Sequence, residues 1–477
     1  MQNSCSLNKG EERYRRVNTC KECGFCETKD RLCTPAKKYL DKDYNGIRFT
    51  ADGFDCALPV SMDSHTVCAY ACQYCFSEFL GGHTGNYGVI RQLRLQTLDN
   101  MLSGNSQSRM SKAFRKALKR VEYATDGPPC PIQLGALTDP FDNIERQQGW
   151  ALKAAEILKK NNQPCRISTK GKLLATKEYL NAFDRPDLFW VAFSIISIDD
   201  EVLAKIDKNA PLPSERLATM KALSSQGIST SLRFRPLIPN VSDRTAKHPQ
   251  AYVELIEKAA EAGCRAVSME MLFAPGQLIG STRQRWNELE KTIKFPIREL
   301  YRKITPKLGA CIRPSRAYAE DLFLHSREIA HKCGMTFGVS DPIMKHLNDT
   351  GCCCGIKPND PHFGNWQREN ATNALVEARD KKKRVTAKDY IPKWAYDVMK
   401  RDLCALSGVT AINFKDTTWG DVLNETWNDL RGNRGPLVYF QNLLKPVAIE
   451  NGDIVYEYRK PEYHNCKTPV LRSVRNE

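Results

Sequence analysis

One nine-residue stretch constrains this chain more than any other: Cys68-Ala69-Tyr70-Ala71-Cys72-Gln73-Tyr74-Cys75-Phe76. Its three thiols follow the spacing C-x3-C-x2-C. A single loop spaced this way can take three irons of a 4Fe-4S cluster and leave the fourth iron without a protein ligand. An open iron suits the binding of a substrate or cofactor better than simple electron storage. The competing reading is a structural zinc loop. Zinc is held by four ligands in a closed structural site, and no fourth Cys or His follows at close range except His83.

The rest of the chain must then fold as a scaffold for that loop. Its 477 residues have room for two or three domains and a large core. Hydrophobic content of 41% and charged content of 26% are those of a globular protein. No apolar run approaches the ~20 residues that a membrane helix needs. Met1 to Cys5 show no apolar signal-peptide core. A cytoplasmic protein with no membrane partner is therefore expected. In a reducing compartment, 19 cysteines argue for metal binding rather than disulfides. A net charge of +16 and a pI near 9.0 point to a polyanionic partner, nucleic acid first, or else to a solvated basic surface. Oligomeric state is not legible.

Residues 1–53 are polar and cysteine-rich. Cys20, Cys23, Cys26 and Cys33 give C-x2-C-x2-C-x6-C, with Cys5 as a possible extra ligand. Four thiols this close can hold a second Fe–S cluster or a zinc ion. From residue 54 to about 275, strands and helices alternate. Strands are expected at 57–62, 132–137, 165–168, 188–194, 228–234 and 264–271. Helices are expected at 147–160, 176–183, 214–225 and 251–262, and a basic one at 108–123 carries Lys112, Arg115, Lys116, Lys119 and Arg120. The continuous apolar run of residues 188–194 suits a parallel strand buried on both faces. About six such units predict an α/β fold, a partial (β/α)6 barrel, with functional residues at the C-terminal ends of its strands.

Residues 276–380 complete the barrel, with helices expected at 284–303 and 319–332. Cys311, Cys333 and Cys352-Cys353-Cys354 form a candidate auxiliary metal site there, or a buried turn between Gly351 and Gly355. The basic run 381–384 reads as a linker or solvated face. Residues 381–477 form a small α+β module with helices near 393–403, 419–430 and 436–444 and a strand at 453–458. Such a module could be a winged-helix-like nucleic-acid reader or a packing appendage.

The strand ends carry polar groups in series. Thr138 and Asp139 follow the second strand and offer a hydroxyl and a carboxylate suited to an amine. Lys170 follows the third and offers a point charge for a carboxylate. Ser194 ends the fourth, and Arg235 the fifth.

The cysteine triplet resembles the signature of the radical S-adenosylmethionine (SAM) superfamily. The strand-end runs Leu134–Phe141, Ile167–Lys170 and Arg233–Pro239 resemble its spore photoproduct lyase-like branch, over about residues 56–275. This resemblance implies a (β/α)6 partial barrel whose 4Fe-4S cluster is held by Cys68, Cys72 and Cys75. It implies SAM as cofactor, cleaved to a 5′-deoxyadenosyl radical, with Tyr74 beside the adenine. Thr138, Lys170 and Ser194 would contact SAM, with Asp139 and Arg235 as further candidates. An electron donor such as flavodoxin or ferredoxin would be a partner. The chain departs from the branch in one respect. The expected second strand lacks the branch's hydrogen-donor cysteine, although Cys130 lies just before it. The departure, with the extra cysteine groups, points to repair or modification of a nucleic acid other than a thymine dimer. The alternatives are a peptide- or protein-modifying radical SAM enzyme with auxiliary clusters, and a non-catalytic nucleic-acid-binding Fe–S or zinc protein.

Overall fold

A computed structural model describes residues 42–44, 46–50, 54–56, 58–66, 68–70, 72–75, 91–119, 129–275, 280–303, 311–314, 316–360, 363, 369–399, 417–430 and 435–461. Cys20, Cys23, Cys26 and Cys33 lie outside the described residues, as does the side chain of Cys311.

Eight strands form the central sheet: β1 (Ile47–Phe49), β2 (Val60–Met62), β3 (Ile132–Leu134), β4 (Cys165–Thr169), β5 (Phe189–Ser194), β6 (Ser229–Leu237), β7 (Ala266–Met271) and β8 (Thr336–Val339). They lie in sequence order across the sheet. β2 to β8 are mutually parallel, and β1 runs antiparallel at one edge. The six expected strands are all present. β8 adds a seventh parallel strand, so the barrel is wider than six units.

Side chains alternate across each strand. One face is apolar: Ile132, Leu134, Ile167, Val191, Phe193, Leu232, Phe234, Val267 and Met269 are buried. They join the main core with residues such as Trp150, Leu158, Met220, Leu255 and Phe323 from the covering helices. Those helices run Trp150–Lys160, Pro213–Ser225, Ala251–Glu261 and Arg316–Lys332. Burying so many large side chains at about 25 cal/mol per Å² drives closure of the sheet. The opposite face carries Arg166, Ser168, Ser194, Arg233, Arg235 and Ser268 and lines the lumen.

A plug closes the lumen below. The turn bearing Cys352, Cys353 and Cys354 packs with Leu58, Cys130, Trp190, Ile356 and Phe363. Gly338 in β8 permits this: a Cβ there would lie 2.5 Å from the Cys353 carbonyl oxygen.

Helix Gly280–Ile293 stops earlier than the sequence suggests, because Lys294 takes φ 55° and Pro296 follows. Residues Tyr301–Lys303 then form a short strand. The described part of the C-terminal stretch shares the barrel's core: Tyr390, Trp394, Leu423, Trp427 and Tyr456 belong to the same cluster as β3 to β7. Phe49 stacks on Trp394 with ring centroids 5.6 Å apart. The stretch ends in an antiparallel hairpin, Leu444–Glu450 with Asp453–Tyr458.

Candidate active site

The cysteine loop lies over the C-terminal ends of the strands. Cys68, Cys72 and Cys75 line one cleft with Tyr74, Thr138, Asp139, Ser168, Lys170, Ser194, Arg233 and Arg235. Every sequence-expected site residue of the barrel is therefore brought to one place. Open solvent at its mouth included, the cleft takes in about 580 Å³.

Carboxylates hold the loop in position. Asp142, just past β3, accepts the Ala69 N–H at 2.7 Å and faces His65 Nε2 at 3.2 Å. Its other oxygen accepts the Ile144 N–H. Tyr70 donates to the Phe141 carbonyl at 2.8 Å, and Asn209 Nδ2 donates to the Ala69 carbonyl at 3.0 Å. Burial opposes a charge on His65, but the Asp142 carboxylate outweighs it and raises the imidazole pKa. Asp63 accepts the N–H groups of Leu137 and Thr138 and pairs with Arg48 at 2.6 Å.

Two expected SAM contacts are already engaged. Asp139 accepts from Thr169 Oγ1 at 2.7 Å and from the backbone N–H groups of Lys170 and Phe141. Burial raises its carboxyl to about 6 against those hydrogen bonds. Thr138 Oγ1 donates to the His65 carbonyl at 3.0 Å. Thr138 ties the segment leading into the cysteine loop to the turn after β3, and Asp139 ties that turn to the end of β4. Gly135, at φ 81°, lets that turn pass the Ser168 carbonyl, which a Cβ would meet at 2.4 Å.

Lys170 crosses the cleft. Its Nζ lies 2.7 Å from Cys72 Sγ, 2.9 Å from Tyr74 Oη and 3.2 Å from Asp207 Oδ1. Arg216 donates to the other Asp207 oxygen at 2.8 Å and to the Ser194 carbonyl at 2.8 Å. Burial alone would raise Asp207, but Lys170 and Arg216 hold its carboxyl well below the usual range. Asp142, Asp207 and Arg216 were not singled out from sequence. Asp142 is signalled only by following Asp139 in the same strand-end turn. Asp207 and Arg216 lie between β5 and β6 and meet the loop through the fold alone.

The thiols are well suited to metal. Burial pushes Cys72 up to about 12, and Cys68 well above its ordinary value. Buried neutral thiols give up their protons when a cation takes their place. Among the described residues no group of three or more His, Cys, Asp or Glu is placed to hold one metal ion. Of the auxiliary candidates, Cys352, Cys353 and Cys354 pack at the floor near Cys56, whereas Cys333 packs against the main core. No described cysteine is in a disulfide. No helix among the described residues is long and apolar enough to cross a membrane.

The described residues thus form a parallel partial barrel with a three-cysteine loop over its strand ends. Residues 63–248 match the family described as the Radical SAM superfamily. The chain is 24% identical over 254 residues to the uncharacterized proteins Rv2578c of Mycobacterium tuberculosis (strain ATCC 25618 / H37Rv) and Mb2609c of Mycobacterium bovis. The match spans 52% of this chain and 69% of each relative. Among solved structures it resembles spore photoproduct lyase with bound AdoMet and dinucleoside spore photoproduct, at 16% identity and TM-score 0.42, covering 60% of this chain and 78% of that one. A substituted form of the same enzyme matches at 15% identity and TM-score 0.45, with the same coverage.

Proposed function

We propose that this chain is a radical SAM enzyme that repairs or modifies a nucleic acid, and that it belongs to the branch its strand-end motifs resemble. The observation that carries the reading is the single cleft lined by Cys68, Cys72, Cys75 and the strand-end residues. In this reading the three cysteines hold a 4Fe-4S cluster at three corners. Cluster and SAM, when bound, supply one-electron cleavage to a 5′-deoxyadenosyl radical.

The chain's own residues position and shield that chemistry. Asp142 and Asn209 fix the loop backbone. Lys170 places a positive charge on the Cys72 sulfur. Tyr74 presents a buried ring beside the cleft for the adenine. Ser194 and Arg235, with Thr138 and Asp139 behind them, line the wall that SAM would meet. A nucleic-acid substrate is supported by the +16 charge and by the arginines that line the cleft. The electron donor is of the flavodoxin or ferredoxin type, and the location is cytoplasmic. The N-terminal cysteines bind a second cluster or zinc.

The test is anaerobic. Reconstituted protein with SAM and reductant is assayed for 5′-deoxyadenosine alone and with DNA, RNA or peptide. Stimulation by DNA or RNA supports the proposal. Stimulation by peptide alone sinks the substrate assignment and favours a peptide-modifying enzyme. No cleavage under any condition sinks the enzyme.

A further inference from the structure

Ordinary parallel barrels fill their lumen with layers of bulky branched side chains. The lumen here is lined differently. Ser168, Ala192, Ser231 and Ser268 are small, and three guanidiniums reach in among them. Ser194 pairs with Arg233, and Arg233 with Ser268, so one row carries a cation between two serines. Arg233 and Arg235 line the cleft itself. Arg166 lies deeper and is 2% exposed, and its Nη1 donates to Ser168 Oγ at 2.5 Å.

These cations are incompletely matched. Arg235 donates to Ser268 and to the Cys353 carbonyl. The Nε of Arg166, Arg233 and Arg235 is in each case buried without a hydrogen-bond partner among the described residues. Burial, then the charges of Arg235 and Arg166, push the Arg233 guanidinium down to about 10, and Glu270 is the acidic side chain that offsets them. Holding guanidiniums together out of water costs several kcal/mol unless an anion answers them. Against burial, Cys353, Cys354 and Glu270 answer Arg235 and hold its guanidinium above its ordinary range. A cluster on the rim thiolates would add negative charge above. Arg233 nevertheless stays depressed, and SAM, whose sulfonium and ammonium outnumber its one carboxylate, does not answer it. The guanidinium fork matches phosphate oxygens in bidentate geometry.

We propose that Arg166, Arg233 and Arg235 form an anion subsite in the wall of the cleft, which takes a phosphate group of a nucleotide-bearing substrate. The inference rests on the nucleic-acid reading above and adds which part of the substrate the barrel grips. Arg233 binds the phosphate, Arg235 borders both this subsite and the wall that SAM would meet, and Arg166 backs them through Ser168.

Calorimetry on the cluster-loaded protein tests it, with thymidine, thymidine 5′-monophosphate and inorganic phosphate as probes. The nucleotide should bind more tightly than the nucleoside, and inorganic phosphate should displace it. Arg233→Gln should weaken the nucleotide roughly tenfold, the scale of one charged hydrogen-bonded contact, and leave thymidine unchanged. Arg233→Lys should restore part of the loss. Equal affinity for nucleoside and nucleotide overturns the subsite, and so does a nucleotide affinity untouched by Arg233→Gln. Should Arg233→Gln fail to load iron, displacement by phosphate in the parent protein decides: displacement supports the subsite and its absence overturns it. DNA-stimulated 5′-deoxyadenosine formation that survives Arg233→Gln unchanged removes the subsite but keeps the nucleic-acid reading. Nucleotide binding with no DNA-stimulated turnover keeps the subsite and removes that reading.

Discussion

The rim and the floor of the barrel are both rich in cysteine, yet they are built from opposite charges. At the rim, carboxylates do the holding. Asp63, Asp139 and Asp142 each accept backbone N–H groups, and Asp207 is matched by Lys170 and Arg216. Below them the charged groups are mostly cations. Arg235 reaches the Cys353 carbonyl, and Lys345 pairs with Asp55 at 2.5 Å. The rim thiols border a cleft, whereas Cys352 and Cys354 are covered by Trp190 and Phe363, whose rings meet at 5.7 Å. Cysteine spacing alone therefore does not define a reactive site. Access to a cleft and the partners of the neighbouring charges separate the two.

The contrast breaks most decisively at the thiols. Cys72→Ala should abolish 5′-deoxyadenosine formation and remove the rim iron, counted by metal analysis. Next in size is Asp142→Ala, which strips an acceptor from the Ala69 and Ile144 amides and from His65. It should cost about 3–5 kcal/mol in chemical denaturation. A cost under about 1 kcal/mol would show that the loop does not depend on this carboxylate.

The acidic side of the comparison also predicts a pH dependence. Glu145 accepts from the Ala151 N–H and from Tyr179 Oη, and burial raises its carboxyl from 4.5 to about 7. The folded state holds this proton more tightly than the unfolded chain does. Its contribution is full below about pH 4.5 and is lost as pH rises through about 7. Glu145→Gln should flatten that fall, a difference of about 3 kcal/mol between the limits. Parallel stability–pH curves for both proteins would refute it.

A smaller effect is expected at Lys170. Lys170→Met leaves Asp207 paired with Arg216 but takes a positive charge from Cys72. The cluster potential, read by EPR-monitored titration, should become more negative, because reduction adds negative charge there. Smallest of all, Cys353→Ser should leave rim iron and SAM cleavage near their starting values. Iron loss matching that of Cys72→Ala would erase the distinction between rim and floor.

Much of this was legible because it depends on local pattern. The apolar run at residues 188–194 gave its strand, and the ends of the third and fourth strands put Lys170 and Ser194 at the mouth. Arg166 and Arg233 sit two residues from Ser168 and Arg235 and so share their face, a signal that was available but unused. The strand Thr336–Val339 is four residues long and contains Gly338, too short a run to stand out. In the C-terminal hairpin, Asn451 and Gly452 both take positive φ, at 51° and 89°. Asn-Gly is a strong hairpin signal, and it marks the first strand, Leu444–Glu450, where a helix was expected to end. Asp207 and Arg216 stayed hidden for a different reason. Their partners lie far away in sequence, and no local pattern announces a side chain that acts across the barrel mouth.

The Asp142 clamp carries a consequence for how the protein matures. The hydrogen bond from Ala69 spans 73 residues and exists only once the turn after β3 has docked beside β2. Until then this clamp on the loop backbone is absent. Iron–sulfur delivery would therefore meet a finished receptacle rather than a nascent loop, and the order of assembly would be barrel first, inorganic core second.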